Sequence, residues 1–166
     1  MDGVMIVVLN LTLSLVAFGF IAKWYVTPWL KSVSLNAALE PILLLHSFRH
    51  LGMMFLVPGV VSSKLMASFA FPAAYGDLLA ALLAFIALIA LRFKWRAAVP
   101  IIWIFNVEGT LDLLYAVSMG VTHGVGGLLV AAYWIPALLV PALLVSHYLV
   151  FQLLWKSIQE TKFVNV

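Results

Sequence analysis

The sequence predicts an all-α protein, a polytopic transmembrane helical bundle with about five crossings that forms a single domain over residues 1–166. Three observations predict this class. Hydrophobic residues make up 66% of the chain and charged residues only 9%, whereas about a quarter of the residues in soluble domains are charged. The apolar residues form runs of about 20, the length that crosses a bilayer. Basic residues concentrate in alternate connections between these runs.

Five apolar runs are long enough to cross a membrane as helices. Pro41 and Pro72 are predicted to open the second and third helices, because proline is tolerated in a first helical turn. Pro136 and Pro141 are predicted to kink the fifth helix. The predicted crossings are residues 4–22, 41–61, 72–91, 97–119 and 128–150, with boundaries good to a few residues.

The connector between the first two runs has the composition of a membrane interface. Trp24 and Trp29 alternate with Lys23 and Lys31, and such residues anchor a chain at the level of the lipid headgroups. A short interfacial helix is therefore predicted at about 28–38.

The basic residues predict the orientation of the chain. Seven of the nine Lys and Arg residues fall on one side of the membrane, Lys64 falls on the other, and Arg49 lies within a crossing. The crowded side is predicted to be cytoplasmic, which places the N-terminus outside and the C-terminus inside, in a bacterial inner membrane. Because the basic residues are explained by their role in membrane orientation, no nucleic-acid partner is predicted. The seven are Lys23, Lys31, Arg92, Lys94, Arg96, Lys156 and Lys162.

The second crossing carries three basic side chains. An arginine at the centre of a transmembrane helix costs roughly 2.5–3.5 kcal/mol on insertion scales, so compensating groups are expected nearby. His46, Arg49 and His50 are spaced i, i+3, i+4 and would share one face of an α-helix. The two histidines lack the glutamate of the H-E-x-x-H motif, and the chain contains no cysteine. No metal site is predicted.

Acidic residues lie at matching depths in the third and fourth crossings. Glu108 and Asp112 are four residues apart on one helix face, and Glu108 falls near the depth of Arg49. We therefore expect Arg49 to pair with Glu108, and Arg49 or His50 to approach Asp112. Asp77 reaches the depth of Asp112, but no partner is expected for it unless its helix leans toward the fourth.

The intramembrane groups carry a surplus of negative charge. One arginine accompanies three carboxyl groups, which leaves a charge of −2 if all are ionised. A carboxyl group must stay protonated, a histidine must become cationic, or a cationic ligand or metal must complete the site. A buried ion pair that only fixes helix register is the simpler alternative.

Two functions are compatible with this site. In the first, the bundle binds a small lipophilic molecule such as a quinone, and it converts the molecule if it is an enzyme. Glu108, Asp112 and His50 would exchange protons, and Arg49 would stabilise negative charge. In the second, the bundle is a proton-coupled transporter or channel subunit that acts as a homo-oligomer. The residues predicted to contact a ligand are Asp77, Asn106, Tyr115, Trp103 and Trp134.

A haem-binding electron-transfer protein is the third alternative. His46 and His147 lie at similar depths on different helices, an arrangement compatible with two axial histidine ligands. No other pair of histidines matches in depth, and the sequence identifies no cofactor by any further motif.

Several short motifs of the central region resemble those of small bacterial inner-membrane proteins. They are Phe48-Arg49-His50-Leu51-Gly52 followed by Pro58-Gly59, then Pro72 to Asp77, then Phe105-Asn106 with Asp112-Leu113. The same region, about 48–150, is loosely similar to the DoxX-like group of four-helix membrane proteins. That group has a glutamate where Asp77 stands, and this chain has an additional N-terminal helix. The resemblance implies a small helical bundle and no particular activity.

Overall fold

The computed structural model describes residues 2–164 of the protein, with side chains for residues 2–159. All its regular elements are helical, and this part of the chain contains no strand. Four stretches of helix are long and apolar enough to cross a membrane: Gly3–Ser32, Ala67–Arg92, Ala98–Thr122 and Val130–Gln159. The α-helices are α1 (Gly3–Ile21), α2 (Thr27–Ser32), α3 (Leu35–Ser47), α4 (Ala67–Arg92), α5 (Ala98–Thr122) and α6 (Val140–Val164).

The first long helix extends further than the sequence predicts. A π-helical turn at Ala22–Val26 joins α1 to α2, so that helical structure continues to Ser32. The chain then breaks at Val33, which has an extended backbone, and Ser34 caps α3 by accepting a hydrogen bond from the Ala37 amide. The expected interfacial helix at about 28–38 is therefore divided between two helices.

The second apolar run, predicted as one helix over about 41–61, forms two kinds of helix. Helix α3 begins six residues before Pro41, and a 3₁₀ helix follows it from Phe48 to Leu56. A 3₁₀ helix has three residues per turn, so that side chains three apart lie in line. Arg49, Gly52 and Phe55 form such a line, and all three are buried. This change of helical period, which the sequence pattern does not reveal, decides which basic side chains face the bundle.

Helix α4 is the centre of the bundle, packed against α3, the 3₁₀ helix and α5. Its buried face is a stripe of alanines that includes Ala73, Ala80, Ala84 and Ala87. Such small side chains let neighbouring helices approach closely. Asp77 lies within the same stripe, four residues after Ala73, and therefore points into the bundle. Pro72, predicted to open this helix, lies five residues inside it.

Two connections meet at the end of the bundle that contains the N-terminus, which we call the N-terminal end. The Ser62 amide donates to the Leu128 carbonyl at 2.9 Å, and the Ala131 amide donates to the Val60 carbonyl at 3.0 Å. The start of α1 packs against the same connection, and a Cβ built at Gly126 would lie 2.5 Å from the Gly3 carbonyl oxygen. This end of the bundle is therefore closed by backbone contacts.

The last apolar run starts with short turns and becomes an α-helix only at Val140. Pro136 lies in a π-helical turn, Ile135–Leu139, and Pro141 lies in the first turn of α6. Pro136 accompanies a departure from the regular α-helix, whereas Pro141 is accommodated in the first turn of α6, where its missing amide hydrogen has no partner to lose. Helix α6 then continues well beyond the predicted boundary at about 150.

Candidate functional site

The guanidinium of Arg49 is the hub of a buried polar cluster. Its Nε donates to Asp77 Oδ1 at 2.8 Å, and its Nη2 donates to Asp112 Oδ2 at 2.5 Å. Its Nη1 donates to the Gly109 carbonyl at 3.1 Å. The Arg49 side chain has no exposed surface, and each aspartate side chain is 11% exposed. We call Arg49, Asp77 and Asp112 the carboxylate cluster.

Two carboxylates share one edge of this guanidinium. Nε and Nη2 are the two nitrogens that one bidentate carboxylate ordinarily occupies together. Here Asp77 takes one and Asp112 takes the other, so two acidic groups lie side by side. One positive charge thus faces two negative ones, and like charges held this close in a poorly hydrated region disfavour each other's ionised form.

The expected pairing of Arg49 with Glu108 is wrong. Arg49 pairs with Asp77, for which no partner was expected, and with Asp112. Glu108 forms no ion pair with a described residue, and its buried Oε2 accepts no hydrogen bond from one. The cause is the position of Asp77 in the alanine stripe of α4, which brings that helix close to the 3₁₀ helix. The spacing of the buried alanines in α4, which includes position 77, was the feature of the sequence that could have predicted the contact between Asp77 and Arg49.

Three glycines make room for the carboxylate cluster. A Cβ built at Gly52 would collide with the Asp77 side chain, and one built at Gly76 would collide with the Asp112 carboxylate. A Cβ at Gly109 would lie 2.6 Å from Arg49 Nη1. These glycines were not predicted to be part of the site. Gly52 follows Arg49 by three positions and Gly109 precedes Asp112 by three positions. This spacing was the feature of the sequence that could have identified them.

A second buried cluster adjoins Arg49 and consists of His46, Asn106, Ser146 and His147; we call it the histidine cluster. His147 Nδ1 lies 2.7 Å from Asn106 Oδ1, and Asn106 Nδ2 donates to the His147 carbonyl at 3.2 Å. His46 Nε2 lies 2.9 Å from Ser146 Oγ. The two imidazole centroids are 4.2 Å apart, and Phe105 packs against both rings.

The hydrogen bonds assign the protons of the two histidines. Arg49 Nη1, which can only donate, lies 3.4 Å from His147 Nε2, so that this nitrogen must carry the lone pair. His147 is then neutral and donates from Nδ1 to Asn106. Ser146 donates its hydroxyl proton to the Leu143 carbonyl and accepts from His46 Nε2. Because it donates to a carbonyl and not to the imidazole, Ser146 is not prepared as a nucleophile.

The histidine pair does not fit a haem. A porphyrin between two axial histidines would separate the rings by the full thickness of the iron coordination, with each Nε2 directed at the metal. Here the rings are in contact at 4.2 Å, and one Nε2 faces Ser146 while the other faces Arg49. Both residues are almost completely buried.

An apolar cavity of about 170 Å³ opens beside the carboxylates, toward the N-terminal end. Asp77 and Asp112 are the only polar side chains among the described residues that line it, and we call it the carboxylate cavity. Its remaining wall comes from the 3₁₀ helix, α4, α5, the turns before α6, the first residue of α6 and one face of α1. The α1 residues are Val4, Val7, Val8 and Leu11.

The other residues predicted for the site lie elsewhere. His50 is exposed, and its Nδ1 lies 2.8 Å from the Ser47 carbonyl of its own chain segment. The buried line of the 3₁₀ helix is Arg49, Gly52 and Phe55, and His50 lies about a third of a turn away from that line. Tyr115 and Trp134 are exposed, and Trp103 packs against Phe151. None of these three aromatic residues lines the carboxylate cavity. Asn106 supports His147 and does not face the cavity.

Comparisons with known proteins return one family. A family model described as "Domain of unknown function (DUF8737)" matches residues 6–155. No curated protein and no solved structure matches the chain. The matched family is not the DoxX-like group, and that resemblance stays a prediction.

Proposed function

The chain belongs to the DUF8737 family, and we propose that it is a five-crossing membrane protein that binds a small lipophilic molecule in the carboxylate cavity. Asp77 and Asp112 receive the polar end of this molecule, and Arg49 holds them in place. The single observation that supports the proposal best is an apolar cavity whose only polar lining groups are two partly paired carboxylates.

The second crossing is composite in this proposal. Helix α3 has 13 residues and the 3₁₀ helix has 9. At 1.5 Å and 2.0 Å per residue they reach about 37 Å, enough for a hydrocarbon core of about 30 Å. With this crossing included, the N-terminal end lies outside and the opposite end, rich in Lys and Arg, lies in the cytoplasm. A bacterial inner membrane is the location that this asymmetry fits.

The size of the cavity limits the ligand. A cavity of about 170 Å³ is close to the ~150 Å³ engineered cavity that stays dry and binds benzene. It is smaller than the roughly 300–1,000 Å³ of pockets that enclose drug-sized molecules. The ligand, or the part of it that enters, is therefore about the size of one six-membered ring or a short alkyl chain.

The chemistry offered by the site is that of an acid–base pair. Asp77 Oδ2 lies against Gly52 and Asp112 Oδ1 lies against Gly76. Neither oxygen accepts a hydrogen bond from a described residue, so each aspartate keeps one oxygen that a ligand at the cavity wall could engage. A proton bound to the ligand can pass to either carboxylate, and the Arg49 guanidinium stabilises the negative charge that remains nearby. In this proposal catalysis, if the ligand is converted, rests on these two residues and not on Glu108 or His50.

A continuous proton relay through the bundle is the weaker candidate. Arg49 lies between the histidine cluster and the two aspartates. A guanidinium keeps its protons in proteins and has no lone pair to accept another. This interposition argues against proton transfer from His147 to Asp112 and favours a binding site.

A cavity-filling variant tests the proposal. Ala116 lines the cavity and Ala17 is an exposed residue of α1 outside it. Binding of toluene, benzyl alcohol and benzylamine by protein in nanodiscs, measured by calorimetry against empty nanodiscs, should be saturable for at least one of the three and should be lost in Ala116→Phe. Ala17→Phe, with the same increase in volume, should retain it. Equal binding by both variants, or no saturable binding by the unmodified protein, would contradict the proposal.

A further inference from the structure

The carboxylate cluster carries one more negative charge than positive charge when both of its carboxyl groups are ionised. Arg49 carries one charge, and Asp77 and Asp112 carry two if both are ionised. Glu108 lies one helical turn from Asp112, with a buried oxygen that has no hydrogen-bond partner. A third carboxyl group thus increases the local surplus and contributes no compensation.

Neither buried histidine supplies the missing charge. A cationic His147 would direct an N–H at the donor-only Arg49 guanidinium. A cationic His46 would bury an N–H at Nδ1, a nitrogen without a hydrogen-bond partner in the described part of the chain. His50 is exposed and directed at the Ser47 carbonyl. The surplus therefore has to be met by a proton or by something that enters the cavity.

A metal ion is a poor match for this position. No group of three or more His, Asp or Glu side chains in the described residues is placed to hold one. Mg²⁺ and Ca²⁺ need about six oxygen ligands, whereas the cavity presents two aspartates and otherwise apolar walls. An organic cation needs only the carboxylate oxygens for its head, and it gains from burying its apolar part in the remaining space.

We propose that the ligand of the carboxylate cavity is a small lipophilic amine, bound as the ammonium ion. Its N–H groups donate to Asp77 Oδ2 and Asp112 Oδ1, the two oxygens that Arg49 leaves free, and its ring or short alkyl chain fills the apolar cavity against α1. This inference rests on the proposed function, because it assigns a chemical class to the ligand of the same cavity. Anionic and purely hydrocarbon molecules of equal size lack either the charge or the donors.

Three probes with the same ring and different heads test the inference. Benzylamine, benzyl alcohol and toluene are titrated into the protein in nanodiscs of zwitterionic lipid, with empty nanodiscs as the reference. Because hydrogen bonds between charged groups are roughly twice as strong as neutral ones, we expect benzylamine to bind at least about tenfold more tightly than benzyl alcohol. Benzyl alcohol, which donates one hydrogen bond, should bind more tightly than toluene.

Two variants locate the preference. Asp112→Asn keeps the shape and removes the charge, so it should weaken benzylamine binding about tenfold and change toluene binding by less than about twofold. Asp77→Asn should act in the same direction. Glu40→Gln alters a half-buried residue that pairs with Arg92 outside the cavity, and it should change neither.

The outcomes separate the two proposals. Equal affinities for the amine and the alcohol in the unmodified protein would overturn the amine and leave the cavity as a binding site. Failure of all three probes to bind would overturn the proposed function itself. The probe comparison is made in the unmodified protein, and so it decides the question even if an aspartate variant does not fold.

Discussion

The two polar clusters on either side of Arg49 differ in how completely they are satisfied. In the histidine cluster, Asn106 bonds His147 twice, Ser146 bonds His46, and Phe105 encloses both rings. In the carboxylate cluster, two acids compete for one guanidinium and face a cavity. A closed, paired network fixes helix positions, whereas an open one with surplus charge is suited to a ligand. The comparison implies that substitutions in the two clusters have different consequences.

Removal of Arg49 should have the largest effect, because both clusters depend on it. Arg49→Leu leaves two buried carboxylates without a partner and should cost about 3–5 kcal/mol or prevent folding. Arg49→Lys keeps the positive charge but loses the planar guanidinium that donates to both aspartates. Its stability should therefore lie between that of Arg49→Leu and that of the unmodified protein. Thermal unfolding in detergent measures the series. Equal stability of all three proteins would show that the buried ion pairs do not hold the bundle together.

The histidine cluster should be sensitive to loss of a single hydrogen bond. Asn106→Leu deprives His147 Nδ1 of its acceptor in a fully buried position, which should cost about 1–3 kcal/mol. Thr110→Val is the control on the same helix, because the Thr110 hydroxyl bonds only to the backbone of its own helix and its loss costs little. Similar unfolding temperatures for the two variants would remove the structural role that we assign to Asn106.

The glycine at the junction of the clusters should not tolerate a methyl group. In Gly109→Ala the new Cβ would lie 2.6 Å from Arg49 Nη1 and 2.7 Å from His147 Cε1, and overpacking of this kind costs about 1–3 kcal/mol. Gly19→Ala in α1 meets no atom within 4 Å and should be neutral or stabilising by up to about 1 kcal/mol. If Gly19→Ala unfolded at a lower temperature than Gly109→Ala, α5 would not approach Arg49 this closely.

Loss of the ion pair at the opposite end of the bundle should have the smallest effect on stability. Arg92 Nη1 lies 2.9 Å from Glu40 Oε1, and the two side chains are 68% and 32% exposed. Glu40→Gln should cost less than about 1 kcal/mol, and added salt should reduce even this difference. A loss comparable with that of Asn106→Leu would mean that burial does not distinguish these polar contacts.

Helix α4 and helix α5 could be predicted well from the sequence, and the structure of the second apolar run could not. The alternating apolar runs and the basic loop at 92–96 delimit the two long helices. The change from α-helix to 3₁₀ helix at Phe48 depends on tertiary contacts, namely the reach of Arg49 to α4 and α5 and the close approach of Gly52 to Asp77. An α-helical period therefore grouped His46, Arg49 and His50 on one face, whereas the buried line of the 3₁₀ helix is Arg49, Gly52 and Phe55 and excludes His50.

The chemical class of the site could be predicted in part. Arg49 or His50 was expected to approach Asp112 from the positions of these residues along their helices, and Arg49 does so. The depth of a residue does not determine which way its side chain points around the helix axis. Glu108 was therefore predicted as the partner of Arg49, whereas Arg49 pairs with Asp77 in the structure. The cavity could not be predicted, because its wall depends on how α1 and the turns before α6 pack at the N-terminal end.

The difference between the clusters is tested most directly by the unfolding temperatures of Asp112→Asn and Asn106→Leu with and without benzylamine. In Asp112→Asn, Arg49 keeps Asp77 as a partner and a like-charge contact is relieved, so stability should change by less than about 1 kcal/mol. At a benzylamine concentration near the dissociation constant of the unmodified protein, this variant should lose most of the stabilisation by benzylamine, whereas Asn106→Leu should be less stable and keep it. A stable Asn106→Leu that loses the response, or an Asp112→Asn that keeps it, would contradict the assignment of the carboxylate cluster as the binding site.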